Sequence, residues 1–164
     1  MSKCRNRRLA AFQAAAPPAP RKIIFNDGDA ENVFGRELRN VELTGILRDH
    51  KTAPACNIVD AVIQSLTADT VDFTRCDFKD TAIRNSQFKC CDFRSSSFAY
   101  NAVFDSSFEQ CSFSDTAIHS CEFVDVTFTS CDLTNVLIKS STFQRCTFDG
   151  CATNNKLFET LPLR

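Results

Sequence analysis

The chain is short of several things that most soluble domains use. It has no Trp, one Tyr, one Met and only four Gly in 164 residues. No apolar run approaches the length of a membrane-crossing helix, and no apolar signal-peptide core precedes the cysteines, so neither a membrane partner nor export is expected. Charge of one sign is also lacking: 19 Lys and Arg face 20 Asp and Glu, for a net charge of −1. That balance argues against a generic nucleic-acid binder, which carries a basic excess. There is no CxxC pair, which removes the commonest redox and zinc spacing. What the chain does have is 16 Phe and ten Cys. In the expected reducing cytoplasm those thiols serve as small, largely apolar side chains.

The ends read differently from the middle. Residues 1–22 are basic, then rich in Ala and Pro, and are expected to form a flexible tail. Residues 23–55 contain short apolar clusters, with Val41 and Leu43 alternating with polar neighbours. They are expected to form an irregular N-terminal cap, because a stack of amphipathic units cannot leave its apolar end open. Within this stretch Asp27, Asp29 and Glu31 lack the glycine and glutamate spacing of a calcium loop. No phosphate loop is present either.

From residue 71 one rule governs. Large apolar residues stand at every fifth position from Phe73 to Phe148, sixteen in succession, eleven of them Phe. Two residues before each centre lies a small or β-branched residue, Asn101 being the largest polar exception. The three remaining positions are mainly polar. A helix needs an apolar period near 3.6 and a strand a period of 2, so neither fits. A chain that sends one large and one small side chain inward every five residues must turn a corner at each unit. Repeated corners make a coil, and stacked coils bury the core that no unit can bury alone.

The run CDFRS SSFAY NAVFD SSFEQ CSFSD TAIHS CEFVD resembles the pentapeptide-repeat family, with Cys or Ser often in place of the usual Ala and Phe in place of Leu. Cys91-Asp92-Phe93 and Cys131-Asp132-Leu133 are the clearest matches. The resemblance implies an all-β fold, a right-handed, four-sided parallel β-helix with one five-residue unit per side and four units per coil. The repeat is expected over 56–150, regular from about 70, with a degenerate first coil at 56–70 and a C-terminal cap at 151–164. A 20-residue coil stacks Phe88, Phe108, Phe128 and Phe148 in one column and Phe73, Phe93, Phe113 and Leu133 in another. It also aligns Cys91, Cys111, Cys131 and Cys151 under Val71. A vertical row of inward thiols does not converge on one point, as zinc requires. Cys90 is expected to face outward.

No catalytic, cofactor-binding or metal site is expected. His50 falls in the cap, His119 on the surface, and Asp115 and Asp125 at turns, with no concave place to gather them. Function is therefore sought on the outside. Tyr100, Phe104 and Val124 are apolar exceptions among outward positions, with Phe104 and Val124 in one column flanked by Arg84 and Gln144. Leu137 is a further outward apolar residue in another column. Between 101 and 135 there are six acidic residues, Asp105, Glu109, Asp115, Glu122, Asp125 and Asp132, and no Lys or Arg. Tyr100, Phe104, Val124, Asp105 and Asp125 are thus the candidate protein-binding residues. The first reading is a non-enzymatic interaction scaffold with another protein as partner, self-association being left open. The alternative, drawn from the resemblance, is a DNA-mimicking inhibitor or protector of a type II topoisomerase such as DNA gyrase. Arg84, Lys89 and Arg94 interrupt the acidic band from the neighbouring coil.

Overall fold

The structure is a computed structural model, and it describes residues 18–26, 37–48 and 55–154. Within these residues the secondary structure is entirely β, in seventeen short strands. The strands pair in parallel, and from residue 57 onward each partner lies four five-residue units away: Ile58 with Phe78, Val103 with Phe123, Phe108 with Phe128. One coil therefore consists of four sides, each one unit long.

Three sides are ladders of three-residue strands. One runs from Leu38–Arg39 (β2) through Asn57–Val59 (β4) to Leu137–Lys139, and two others are joined through the long strand Val62–Asp69 (β5). The fourth side carries single bridges instead, Asp72 to Asp92 to Ser112 to Asp132 to Ala152. Its sequence explains the difference. The Asp72, Asp92 and Asp132 carboxylates accept hydrogen bonds from the backbone N–H groups of Thr74, Arg94 and Thr134, two residues on, at 2.9–3.0 Å. These are Asx turns, which compete with strand geometry.

The corners have one signature. Every fifth residue from Ala55 to Arg145, two beyond each centre, has a positive φ between 47° and 61°, and Gly150 continues the series. Left-handed backbone disfavours most side chains but tolerates Asn and Asp. Asp60, Asp80, Asn85, Asp105, Asp115, Asp125 and Asn135 fill many of the corners accordingly. Each corner N–H from Thr70 to Ser130 in turn donates to a carbonyl of the next coil, as from Asp80 to Ala99 at 3.0 Å.

The expected columns form. Ring centroids of Phe88, Phe108, Phe128 and Phe148 are 4.9, 5.1 and 4.9 Å apart in sequence, with planes within 11°. Phe73, Phe93 and Phe113 follow at 5.0 and 4.8 Å. Adjacent columns meet edge-to-face, as Phe93 meets Phe108 at 76°. The offset stacks and edge contacts are the two favourable aromatic geometries.

The same register reaches back beyond residue 56. Strand Arg21–Phe25 (β1) pairs in parallel with Val41–Arg48 (β3), Arg21 opposite Val41, and Leu38 lies opposite Ile58. The stretch expected as a cap thus contains strands in the phase of the coils above it. They are longer and less regular: between β3 and β5 the register slips by one residue, at Leu43 to Gly45. The slip places Leu47 against Ala68, beside buried Leu66, so larger neighbours accompany the small centre Ala68. The expectations for residues 1–17, for Asp27, Asp29 and Glu31, for His50 and for residues 155–164 lie outside the described residues.

Candidate protein-interaction surface

The interior leaves little room for chemistry. Its cavity measures ≈ 20 Å³ and is lined by Phe108, Phe113, Phe128 and other apolar side chains. Ligand pockets typically measure a few hundred cubic ångströms, about 300 or more. Among the described residues, no three His, Cys, Asp or Glu side chains gather as metal ligands.

The small inward position does more than fill space. Ser96 Oγ donates to the Phe73 carbonyl of the coil below at 2.7 Å, and Thr116 Oγ1 does the same to Phe93 at 2.8 Å. Buried Asn101 donates from Nδ2 to the Phe78 carbonyl and accepts the Thr81 N–H at Oδ1, at 2.8 and 2.9 Å. Cys91, Cys111, Cys131 and Cys151 point their thiols at the equivalent carbonyls, at 3.3–3.5 Å. Where this position holds Cys, Ser, Thr or Asn, the side chain pairs backbone groups near the corners, while Val71, Val126 and Val136 only fill the space. Size alone suggested packing; the polar capacity shared by Cys, Ser, Thr and Asn was the available signal for these bonds.

On the outside, Phe104 and Val124 are direct neighbours in adjacent coils, with Arg84 below and Gln144 above, all in one outward column. Both apolar residues are half-buried. The Arg84 guanidinium lies over the Phe104 ring, 5.4 Å from its centroid, a cation–π contact. Tyr100 occupies the corner leading into this side and is 55% exposed. Its ring meets His119 of the next coil edge-on, at 5.5 Å and 86°. Tyr100 therefore links two sides. Around the corner lie Ala99 and His119, and farther along the same side Leu137, 73% exposed.

Asp105 and Asp125 are exposed corner residues in one column. Arg145 reaches down from the next coil and clamps Asp125 through two bonds of 2.6 Å. The hydrogen bonds and charge of Arg145 hold the Asp125 carboxyl below the usual carboxylate range. From the other direction Lys89 pairs with Glu109 at 3.2 Å. Asn135 donates to Asp115 at 3.2 Å. The stretch without Lys or Arg in sequence is thus supplied with cations by the coils on both sides. Linear distance hid these pairs, but the four-unit period aligns 89 with 109 and 125 with 145.

The family comparison agrees with the repeat. Residues 81–158 match the family model described as the pentapeptide repeat region. No curated protein matches the sequence. Among solved structures, the chain is similar to Rfr23, a pentapeptide repeat protein from the cyanobacterium Cyanothece 51142. Identity is 9%, over 72% of this chain and 91% of that one, with a TM-score of 0.49. It is similar to trypsin-treated QnrB1, a plasmid-mediated fluoroquinolone resistance protein, at 11% identity over 85% of this chain and 92% of that one, TM-score 0.33. It is also similar to a pentapeptide repeat protein of the Arabidopsis thaliana thylakoid lumen, at 20% identity over 58% and 67% of the two chains, TM-score 0.34. With its five-residue register unbroken from Phe73 to Phe148 and the family match over 81–158, the chain carries a pentapeptide repeat region.

Proposed function

We propose that this protein is a non-enzymatic interaction scaffold, and that its docking surface is the corner formed by Tyr100, Phe104 and Val124 with Asp105 and Asp125 at its edge. The observation that carries the reading is Tyr100. Tyr100 is the one aromatic at a left-handed corner among the described residues, φ 58°, in a series filled mainly by Asp, Ser and Asn and otherwise by Ala55, Thr70, Arg75, Cys90, Gln110 and Arg145. That choice costs stability, and such costs are typically found at functional positions. Rigid, exposed aromatic residues are also the usual anchors of protein interfaces. The setting is rigid because each coil is bonded to its neighbours and packed on a continuous aromatic core. A reducing compartment such as the cytoplasm suits the free thiols of Cys90, Cys91, Cys111, Cys121, Cys131, Cys146 and Cys151.

The test is affinity capture from the native cell with wild type, Phe104→Asp and Tyr100→Asn. The expected result is a partner held by wild type and released by both variants, with circular dichroism unchanged. Tyr100→Asn should also raise stability, by about 1 kcal/mol, since Asn suits a left-handed corner better. Unaltered capture by both variants would refute the surface.

The second reading is a DNA-mimicking inhibitor or protector of a type II topoisomerase. It is favoured by exposed Asp105 and Glu122, on one side of adjacent coils, and by exposed Asp115 at the opposite corner. The Arg145–Asp125 and Lys89–Glu109 pairs weaken it, because they remove anionic charge from the same coils. A mimic inhibits supercoiling, or relieves poison-induced cleavage, at stoichiometric protein. A scaffold of the first kind does neither.

A further inference from the structure

We propose that the column Cys91, Cys111, Cys131 and Cys151 contains a linear, two-sulfur site for mercuric ion, a soft divalent cation, at its end rung between Cys131 and Cys151. The column is straight because its members share one side-chain orientation. Each thiol points at the carbonyl 23 residues earlier and at the carbonyl two residues earlier: Phe108 and Thr129 for Cys131, Phe128 and Asp149 for Cys151. The backbone repeats with them, since Asp132 N–H donates to Cys111 O and Ala152 N–H to Cys131 O, both at 2.9 Å. Successive sulfurs are therefore separated by the rise of one coil. The flanking ring stacks set that rise at 4.8–5.1 Å.

That spacing discriminates between chemistries. A disulfide needs Cβ atoms about 3.5–4.5 Å apart and sulfurs at about 2.05 Å, so it would require the coils to close on each other. Zinc needs four donors around one point, and among the described residues no group of three exists. With metal–sulfur bonds near the zinc–thiolate length of about 2.3 Å, a linear S–metal–S unit spans about 4.6 Å, which small side-chain rotations supply. Soft thiolates favour soft metals. Charge selects among them. Two thiols lose two protons and bind Hg²⁺ as a neutral RS–Hg–SR unit, whereas Cu⁺ or Ag⁺ would leave a net negative charge beside Phe128 and Phe148, which is costly in an apolar setting. The end rung is the reachable one. Cys151 is partly exposed, while Cys91, Cys111 and Cys131 are each 1% exposed and Cys56 and Cys76 fully buried.

The parent for the test is the full chain with Cys4→Ser and Cys90→Ser, which removes exposed Cys90 and the thiol outside the described residues. It is freed of reductant, titrated with mercuric chloride under argon, then washed with excess glutathione. Mercury per chain is read by mass spectrometry, and sulfur count by X-ray absorption. The expected result is retained mercury with two sulfurs at about 2.3 Å and unchanged circular dichroism. Cys131→Ser and Cys151→Ser should each lose one mercury per chain relative to the parent. Both variants keep the fold, because Ser96 makes the equivalent bond in a neighbouring column. Cys121→Ser, whose column neighbours are Asn101 and Ser141, should lose none. Equal retention by the Cys131 or Cys151 variant, a single sulfur per mercury, or loss of β structure on binding would each overturn the site.

Discussion

At the scale of the residue, position within the five-residue unit decides what a side chain is worth. Phe108 is 2% exposed and stacked between Phe88 and Phe128. Phe108→Ala should cost about 3–5 kcal/mol in denaturant unfolding, from lost burial and the cavity left behind. Phe104→Ala, on the outside, should cost under about 1 kcal/mol. Equal costs would mean that the inward and outward assignments are mistaken. Asp125 gives a charge test. Its carboxyl is held low by Arg145, so the folded state binds a proton less readily than the unfolded chain. The stabilisation is present above the ordinary carboxylate range and is lost as pH falls through the folded value. Arg145→Ala should move the Asp125 titration upward, toward the ordinary range, in a carboxyl-carbon NMR titration. No movement would show that the clamp is absent in solution.

At the scale of the element, short strands are specified by their corners more than by strand propensity. Three residues of strand and one left-handed residue recur around three sides, and an Asx turn replaces the strand on the fourth. The N-terminal strands depart from this plan and depend on Gly45. Its φ is +106°, and a Cβ there would sit 2.1 Å from the Phe25 carbonyl oxygen. Backbone cannot yield as a side-chain tip can. Gly45→Ala should therefore dislodge β1, with loss of amide-exchange protection along Ile23 to Phe25. The coils beyond residue 71 should retain theirs, because each contacts only its neighbours. Protection unchanged along β1 would contradict the close approach.

At the scale of the whole molecule, the solenoid is nearly one-dimensional, and its period can be tested by deletion. Removing residues 91–110 deletes one coil, joins Cys90 to Cys111 and keeps both the inward phase and every column. That protein should fold with lower stability, having lost one coil and one interface. Removing 91–108 instead stops short of a whole number of units, shifts the phase and turns inward Phe to the surface. It should fail to give a cooperative thermal transition. If the two deletions behave alike, the four-sided coil is not the organising unit.

The inward phase, the Phe columns and the aligned thiols were legible in the sequence, because a five-residue period forces identical side chains to the same radial position. Phe88, Phe108 and Phe128 could be stacked on paper by counting four units forward. The outward strip at Phe104 and Val124 followed from the same count. Other features depended on contacts between coils that composition does not display. Arg145 neutralises Asp125 across a coil boundary, Arg84 lies over Phe104, and Tyr100 meets His119 around a corner. The irregular start was hidden for a related reason: Arg21–Phe25 has no five-residue signature of its own and is held in phase by pairing with β3. Periodicity by itself determined which side chains point into the core, since burial repeats with the chain. Only the tertiary structure decided how the outside is wired, since surface contacts join residues from different coils that need share no pattern.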